Sequence, residues 1–194
     1  STGMGPPAFR DVVDFLEDLI GEKTGRSVKI PVDRKGAEIL LVHNSGEFMS
    51  WPENPAAFAI LFEAAGLNWT LSSEPLGYEA VNYGAWYDDV QLARIALMQL
   101  DVARRLGVRK IVVGECGHAS KALVSVADRL ALGDLAAIGG ESCLPLLEKI
   151  VTEGRVALDP RRNDFPVTLH DPCNMVRLMG IVRPQRAVLE RILP

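Results

Sequence analysis

The 194-residue sequence contains no apolar run close to the roughly 20 residues that carry a helix across a bilayer, and no basic-then-apolar leader. Neither a direct membrane insertion nor a secretory signal is expected. The sequence also lacks a surplus of one charge: 21 basic and 25 acidic residues are scattered along it and leave a formal net charge of -4. That surface has no electrostatic footprint for nucleic acid or an anionic membrane, so polyanion binding is not expected. Cysteine is scarce, with Cys116, Cys143 and Cys173 widely spaced and odd in number. A chain that is 48% hydrophobic buries a core without staples, which argues against a disulfide framework and for reduced thiols, ligands or core filler. Common catalytic signatures are missing as well. "GECGHASKA" has neither the glycine spacing nor the Lys-Ser/Thr pair of a phosphate loop, and no G-x-S-x-G elbow occurs. Low-complexity linkers and short-period repeats are absent too.

What is present is an alternation of helical and strand patterns. "PAFRDVVDFLEDLIGEKTG" places Phe9, Val12, Val13, Leu16, Leu19 and Ile20 at helical spacing, with Pro7 suited to the first turn and Gly21 or Gly25 to the end. "EILLVHNS" (38–45) reads as a strand buried on both sides, followed by a helix over 55–65 and then "NWTLSS". The long helix after Asp88 or Asp89 is striped by Leu92, Ile95, Ala96, Ala103 and Leu106, closed by Gly107, and succeeded by a buried strand at Lys110–Val113. Amphipathic stretches are expected from Cys116 to about Leu132 and over 144–152, then a strand "PVTLHD" (166–171) and a helix over 184–193. The expected fold class is α/β: a mostly parallel sheet flanked by helices on both faces, in Rossmann-like layers. Residues 1–37 read as an N-terminal helix and connector and 38–194 as the α/β domain, with Ser1-Thr2-Gly3 resembling a vector remnant.

Two apolar runs each deliver a cysteine just past their end, "IVVGECGH" and "VTLHDPCN". In open parallel sheets ligands collect outside the carboxyl ends of strands, where Cys116 and Cys173 are both expected. A thiol ahead of a helix N-terminus is drawn toward thiolate, although Glu115 opposes this at Cys116. Cysteine is also among the most buried residue types, so packing is the competing role, and for Cys143 in "SCLPLLEKIV" the expected one. His118 and His170 keep company with the other two cysteines and are candidate ligands or proton donors; either could instead be a hydrogen-bonded side chain at a crowded strand end. Two cysteines and two histidines could hold zinc, but they lack the close paired spacing of zinc modules. The aromatic cluster Trp69, Tyr78, Tyr83, Trp86 and Tyr87 is read as buried beneath a long loop rather than as a docking groove.

"WTLSSEPLGYEAVNYGAWYDD", "IVVGECGHASKAL" and above all "VTLHDPCNMVRLMGIVRPQRAVLERI" resemble the cysteine-rich (CCG-type) domain of heterodisulfide-reductase-like iron–sulfur proteins. Within that family the likeness is greatest to the cytoplasmic iron–sulfur subunit of the membrane complex that accompanies dissimilatory sulfite reductase. It covers roughly 40–192. The family pattern is a single cysteine, then an adjacent Cys-Cys pair, then Cys-x-x-Cys, given twice, and the full set holds an unusual iron–sulfur cluster (4Fe-4S type). By this resemblance Cys116 is the first cysteine of a Cys-x-x-Cys whose second position is Ala119, and Cys173 is the single cysteine opening the second copy. No adjacent Cys-Cys pair occurs in the sequence, and 21 residues follow Cys173. The remaining ligands are therefore expected beyond Pro194, and the chain as it stands is expected to hold no cluster and to be inactive alone.

The resemblance implies a cytoplasmic electron-transfer subunit, peripheral to the inner membrane through its complex. It would exchange electrons between a membrane quinone-linked complex and the disulfide or persulfide of a small sulfur-carrier protein. Cys173 is then the cofactor-binding and metal residue and Cys116 a further metal ligand or reactive thiol, with His118 and His170 beside them as catalytic groups. Asp171 and Pro172 are expected to shape the turn that aims Cys173, proline by fixing φ and aspartate by capping. Two alternatives are the iron–sulfur subunit of a glycolate- or lactate-type oxidase and a cluster-less docking scaffold, the latter suggested by Ala119.

Overall fold

In the computed structural model, which describes residues 6–74, 89–127 and 137–194, the apolar run at Ile39–Val42 forms strand β1 and is buried along its whole length. Its side chains alternate, Ile39 and Leu41 entering one core and Leu40 and Val42 the other, as the two-residue period of an extended chain dictates. Strand β3 (Lys110–Val113) divides in the same way, Val112 going to the first core and Ile111 and Val113 to the second. With β2 (Trp69–Thr70) and β4 (Gly139–Ser142) they make a four-stranded, all-parallel sheet in the order β2-β1-β3-β4. Leu40 stands opposite Thr70 on one side and Ile111 on the other. The chain thus winds outward from β1 to β2, then crosses back to β3 and β4. Between β1 and β3 the connections part in opposite directions, and the switch-point crevice that this topology leaves at the carboxyl ends is filled by buried side chains, His43 and Glu47 among them.

Helices seal both faces. On one side lie α1 (Pro6–Thr24), α3 (Glu53–Ala64) and α6 (Cys143–Thr152), contributing Phe9, Leu16, Phe62 and Ile150, none of them more than 1% exposed. Burying each such side chain contributes about 1.5–3 kcal/mol. On the other side are α4 (Asp89–Leu106), with Leu92, Ala96, Leu100 and Ala103 buried, and α5 (Gly117–Ser120), which runs on as a wide π-type stretch over Lys121–Ala127. Gly107 ends α4 at φ 70°, a left-handed turn that glycine adopts without steric cost. A final helix, α7 (Arg183–Ile192), packs on α6, where Arg183 Nε meets Glu148 Oε1 at 3.2 Å. No helix among the described residues is long and apolar enough to cross a membrane.

The α/β architecture is as expected; three elements are not. The stretch 166–171 is not a strand, and Phe165, Val167 and Leu169 remain 59%, 43% and 37% exposed. Alternating apolar residues form a strand only where a neighbour offers N–H and C=O groups, and no described strand pairs with this one. Strand β4 was not foreseen, because Gly139-Gly140-Glu141 carries no apolar pattern; its bonds to β3 come from the backbone. Helix α2 (Ser45–Ser50) cuts short the strand expected through Ser45. Trp69 is buried in the core, while Tyr78, Tyr83, Trp86 and Tyr87 lie outside the described residues, as do 128–132 of the helix expected to reach Leu132.

Candidate functional site

After Val113 the chain turns through Gly114 and Glu115, and Cys116 becomes the N-cap of α5, its Sγ accepting the Ala119 N–H at 3.5 Å. Cys116 is 9% exposed and belongs to the core cluster beneath α4 and α5. It therefore stands at the carboxyl end of β3, beside the crevice between β1 and β3. Ala119 is itself buried, with its N–H on the Cys116 thiol.

Cys173 arrives differently. It is exposed and opens a wide π-type turn (Cys173–Leu178) after an unpaired loop, so it is not at a strand end as expected. The two cysteine-bearing turns nevertheless meet. A Cβ added to Gly117 would lie 3.3 Å from Met175 Cγ and 3.5 Å from Asn174 Cβ, so the absence of a side chain there eases this approach. The residue after Cys116 thereby rests on the two residues that follow Cys173. His118 is half-buried in α5, and His170 is exposed in the loop three residues ahead of Cys173. Asp171 is not a cap: its carboxylate pairs with Arg186, whose guanidinium holds it below the usual carboxylate range. Thus the HDPC loop and the RPQR helix start, separate in sequence, form one tied unit.

The crevice itself holds residues that the sequence reading passed over. His43 follows β1 and is fully buried, its ring edge-on to Phe48 and Phe58 at centroid distances of 5.4 and 5.2 Å. Its Nδ1 lies 2.8 Å from Oε1 of Glu47, and its Nε2 has no hydrogen-bond partner among the described residues. Glu47, 2% exposed, accepts also from the N–H groups of Asn44 at 2.6 Å and Glu115 at 3.2 Å. Burial alone would push its carboxyl up, but the His43 hydrogen bond and charge and the two N–H groups outweigh that and hold it low. Glu115 is shifted the other way, raised first by partial loss of water and then by the negative Glu47. Asn44 and Glu47 form a capping box, the one signal in the sequence that could have revealed this pair.

Cys143 opens α6, is 2% exposed, and donates its thiol to the Gly114 carbonyl at 3.3 Å. Burial pushes it up to about 12, so it stays protonated. Its burial matches the packing role expected of it. An iron–sulfur cluster is normally held by about four thiolates, and no group of three or more His, Cys, Asp or Glu among the described residues could hold a metal. The donor set present here does not by itself fit such a cluster.

Two relatives are similar to the chain. The Hdr-like menaquinol oxidoreductase iron-sulfur subunit of Archaeoglobus profundus is 28% identical over 211 residues, covering 88% of this chain and 37% of the relative. The Hdr-like menaquinol oxidoreductase iron-sulfur subunit 2 of Archaeoglobus fulgidus is 28% identical over 217 residues, covering 92% of this chain and 38% of the relative. The chain thus spans under two fifths of either relative's length. No family model and no solved structure matches it.

Proposed function

We propose that this chain is part of a heterodisulfide-reductase-like iron–sulfur electron-transfer subunit. The observation that carries the reading is the seating of Gly117 against Asn174 and Met175, which draws the turns of Cys116 and Cys173 together. The names of the two relatives support an iron–sulfur electron-transfer role and a quinol-linked membrane complex as partner. The finer assignment rests on the quoted motifs: a subunit like the one that accompanies dissimilatory sulfite reductase, peripheral to the cytoplasmic face of the membrane. Electrons would pass between the membrane complex and a small sulfur-carrier protein. When bound, a cluster would supply one-electron steps to a disulfide reduction that needs two.

In this reading Cys173 is a cluster ligand whose companion thiolates come from outside the described residues. Cys116 is the neighbouring thiol, and His118 and His170 hold protons beside the two sulfurs. The test is made on the protein at its native length, purified without oxygen. Iron, acid-labile sulfide and a visible absorption band are expected, and Cys173→Ser is expected to lose most of each. A metal-free protein of native length overturns the reading. It would instead favour a docking scaffold, the alternative that Ala119 in place of a ligand supports.

A further inference from the structure

We propose that Glu47 and Cys143 form a two-sided clamp on the peptide between Gly114 and Glu115, and that this clamp aims Cys116. The inference rests on the reading of Cys116 as a redox thiol, and it assigns positioning roles to two residues that never touch the reacting sulfur.

The Gly114 carbonyl and the Glu115 N–H are the two ends of one planar peptide unit. Cys143 donates to the first at 3.3 Å and Glu47 accepts from the second at 3.2 Å. Side chains from α2, on the crossover between β1 and β2, and from α6, after β4, therefore grip one plane from opposite edges. With the plane held and the Gly114 N–H tied to β1, ψ of Gly114 is set, and with it the position from which the chain sets out toward Cys116. A third bond, from the Gly114 N–H to the Val42 carbonyl at 2.8 Å, ties the turn to β1.

The surroundings are built for this contact. A Cβ at Gly114 would lie 2.6 Å from His43 Nδ1 and 2.7 Å from Glu47 Oε1, so the glycine is what lets the carboxylate reach the peptide. His43 occupies the other side of that same oxygen at 2.8 Å, and the Asn44 N–H takes the second oxygen at 2.6 Å. Glu47 is thus held from its own element and spends its remaining hydrogen bond on a residue 68 positions away. An ion-capable pair in a core is a poor source of stability, since well-packed apolar residues of like volume serve as well. Its geometry here serves a strand end that carries a thiol.

Site-resolved alkylation with iodoacetamide, followed by mass spectrometry, tests the clamp, with exposed Cys173 in the same molecules as the internal standard. Cys143→Ala is expected to raise the Cys116:Cys173 rate ratio about fivefold or more, and Cys143→Ser, which keeps a donor, to stay within about twofold of wild type. Glu47→Gln is expected to raise the ratio too. The double variant Glu47→Gln with Cys143→Ala should fall short of the product of the single effects, because both act on one peptide. Equal ratios in the alanine and serine variants overturn the proposal, as does strict additivity. The iron content of the native-length Cys173→Ser protein tests the functional reading separately, so either can fail without the other.

Discussion

Arg186 grips Asp171 with both arms of its guanidinium, Nη1 donating to Oδ1 at 3.1 Å and Nη2 to Oδ2 at 2.5 Å. The same Nη1 donates to the Val182 carbonyl at 2.7 Å, so the fork is itself anchored to the start of α7. The loop that delivers Cys173 is therefore held two residues upstream of the thiol. Lysine keeps the charge but cannot match both oxygens. Arg186→Lys is expected to speed proteolytic cleavage within 164–172 while thermal stability changes little, because both partners reach solvent. Cleavage at the wild-type rate, followed by mass spectrometry, refutes this.

The two carboxylates at the crevice predict opposite pH dependences. Glu47 is held below its unfolded value, so the stability it contributes is full above that value and is lost as pH falls through the folded one. Glu115 is held above its unfolded value, so the folded state binds the proton more tightly and stability is lost as pH rises through the folded value. Urea midpoints measured from pH below the ordinary carboxylate range up to neutrality should show Glu115→Gln gaining on wild type toward neutrality and matching it in acid. Glu47→Gln should lose at neutrality and converge with wild type in acid.

Legibility followed the source of each element's order. The strand Lys110–Val113 and its helix Asp89–Leu106 were readable because an apolar run and an apolar stripe, with Gly107 between them, state both in the side chains. Strand β4 was not, since Gly139, Gly140 and Glu141 are recruited by the free edge of β3. The segment 166–171 shows the converse: its side chains alternate correctly, yet no described strand pairs with it. At the site, Cys116 stands at the strand end where it is expected, whereas His43 sits inside what reads as the tail of a strand and Glu47 just past it. Their pairing is local, but the Glu115 N–H that joins it comes from 68 positions away, which periodicity does not encode.

The three thiols should separate cleanly in rate. Cys173 is exposed, Cys116 is 9% exposed, and Cys143 is both buried and raised to about 12. At mildly alkaline pH the thiolate fraction of Cys143 alone is smaller than that of an ordinary thiol by on the order of 10^3. Alkylation is expected in the order Cys173, Cys116, Cys143. Labelling of Cys143 as fast as Cys116 would show that the seal over α6 is open.

Gly114 offers a stability test of the crevice. Its added Cβ would collide with His43 Nδ1 at 2.6 Å and Glu47 Oε1 at 2.7 Å, both on buried side chains held by hydrogen bonds. Neither can retreat cheaply, and overpacking of this kind costs about 1–3 kcal/mol. Gly114→Ala is expected to lower the urea midpoint accordingly with an unchanged slope. A midpoint equal to wild type would mean that the pair is free to move.

The meeting of the two cysteine turns is testable at one atom. At Gly117 the space left for a Cβ is 3.3 Å from Met175 Cγ and 3.5 Å from Asn174 Cβ, tight for a methyl group and impossible for a branched side chain without displacement. Gly117→Val should therefore push the Cys173 turn away from α5, while the sheet, whose core clusters do not include Gly117, stays folded. A bifunctional reagent that fluoresces only after bridging two neighbouring thiols reads the consequence. Bridging of Cys116 to Cys173 is expected in wild type and should fall by at least about an order of magnitude in the variant, with far-ultraviolet circular dichroism unchanged. If wild type does not bridge, or the variant bridges equally well, the two sulfurs do not share a mouth and a common redox centre for them loses its geometric basis.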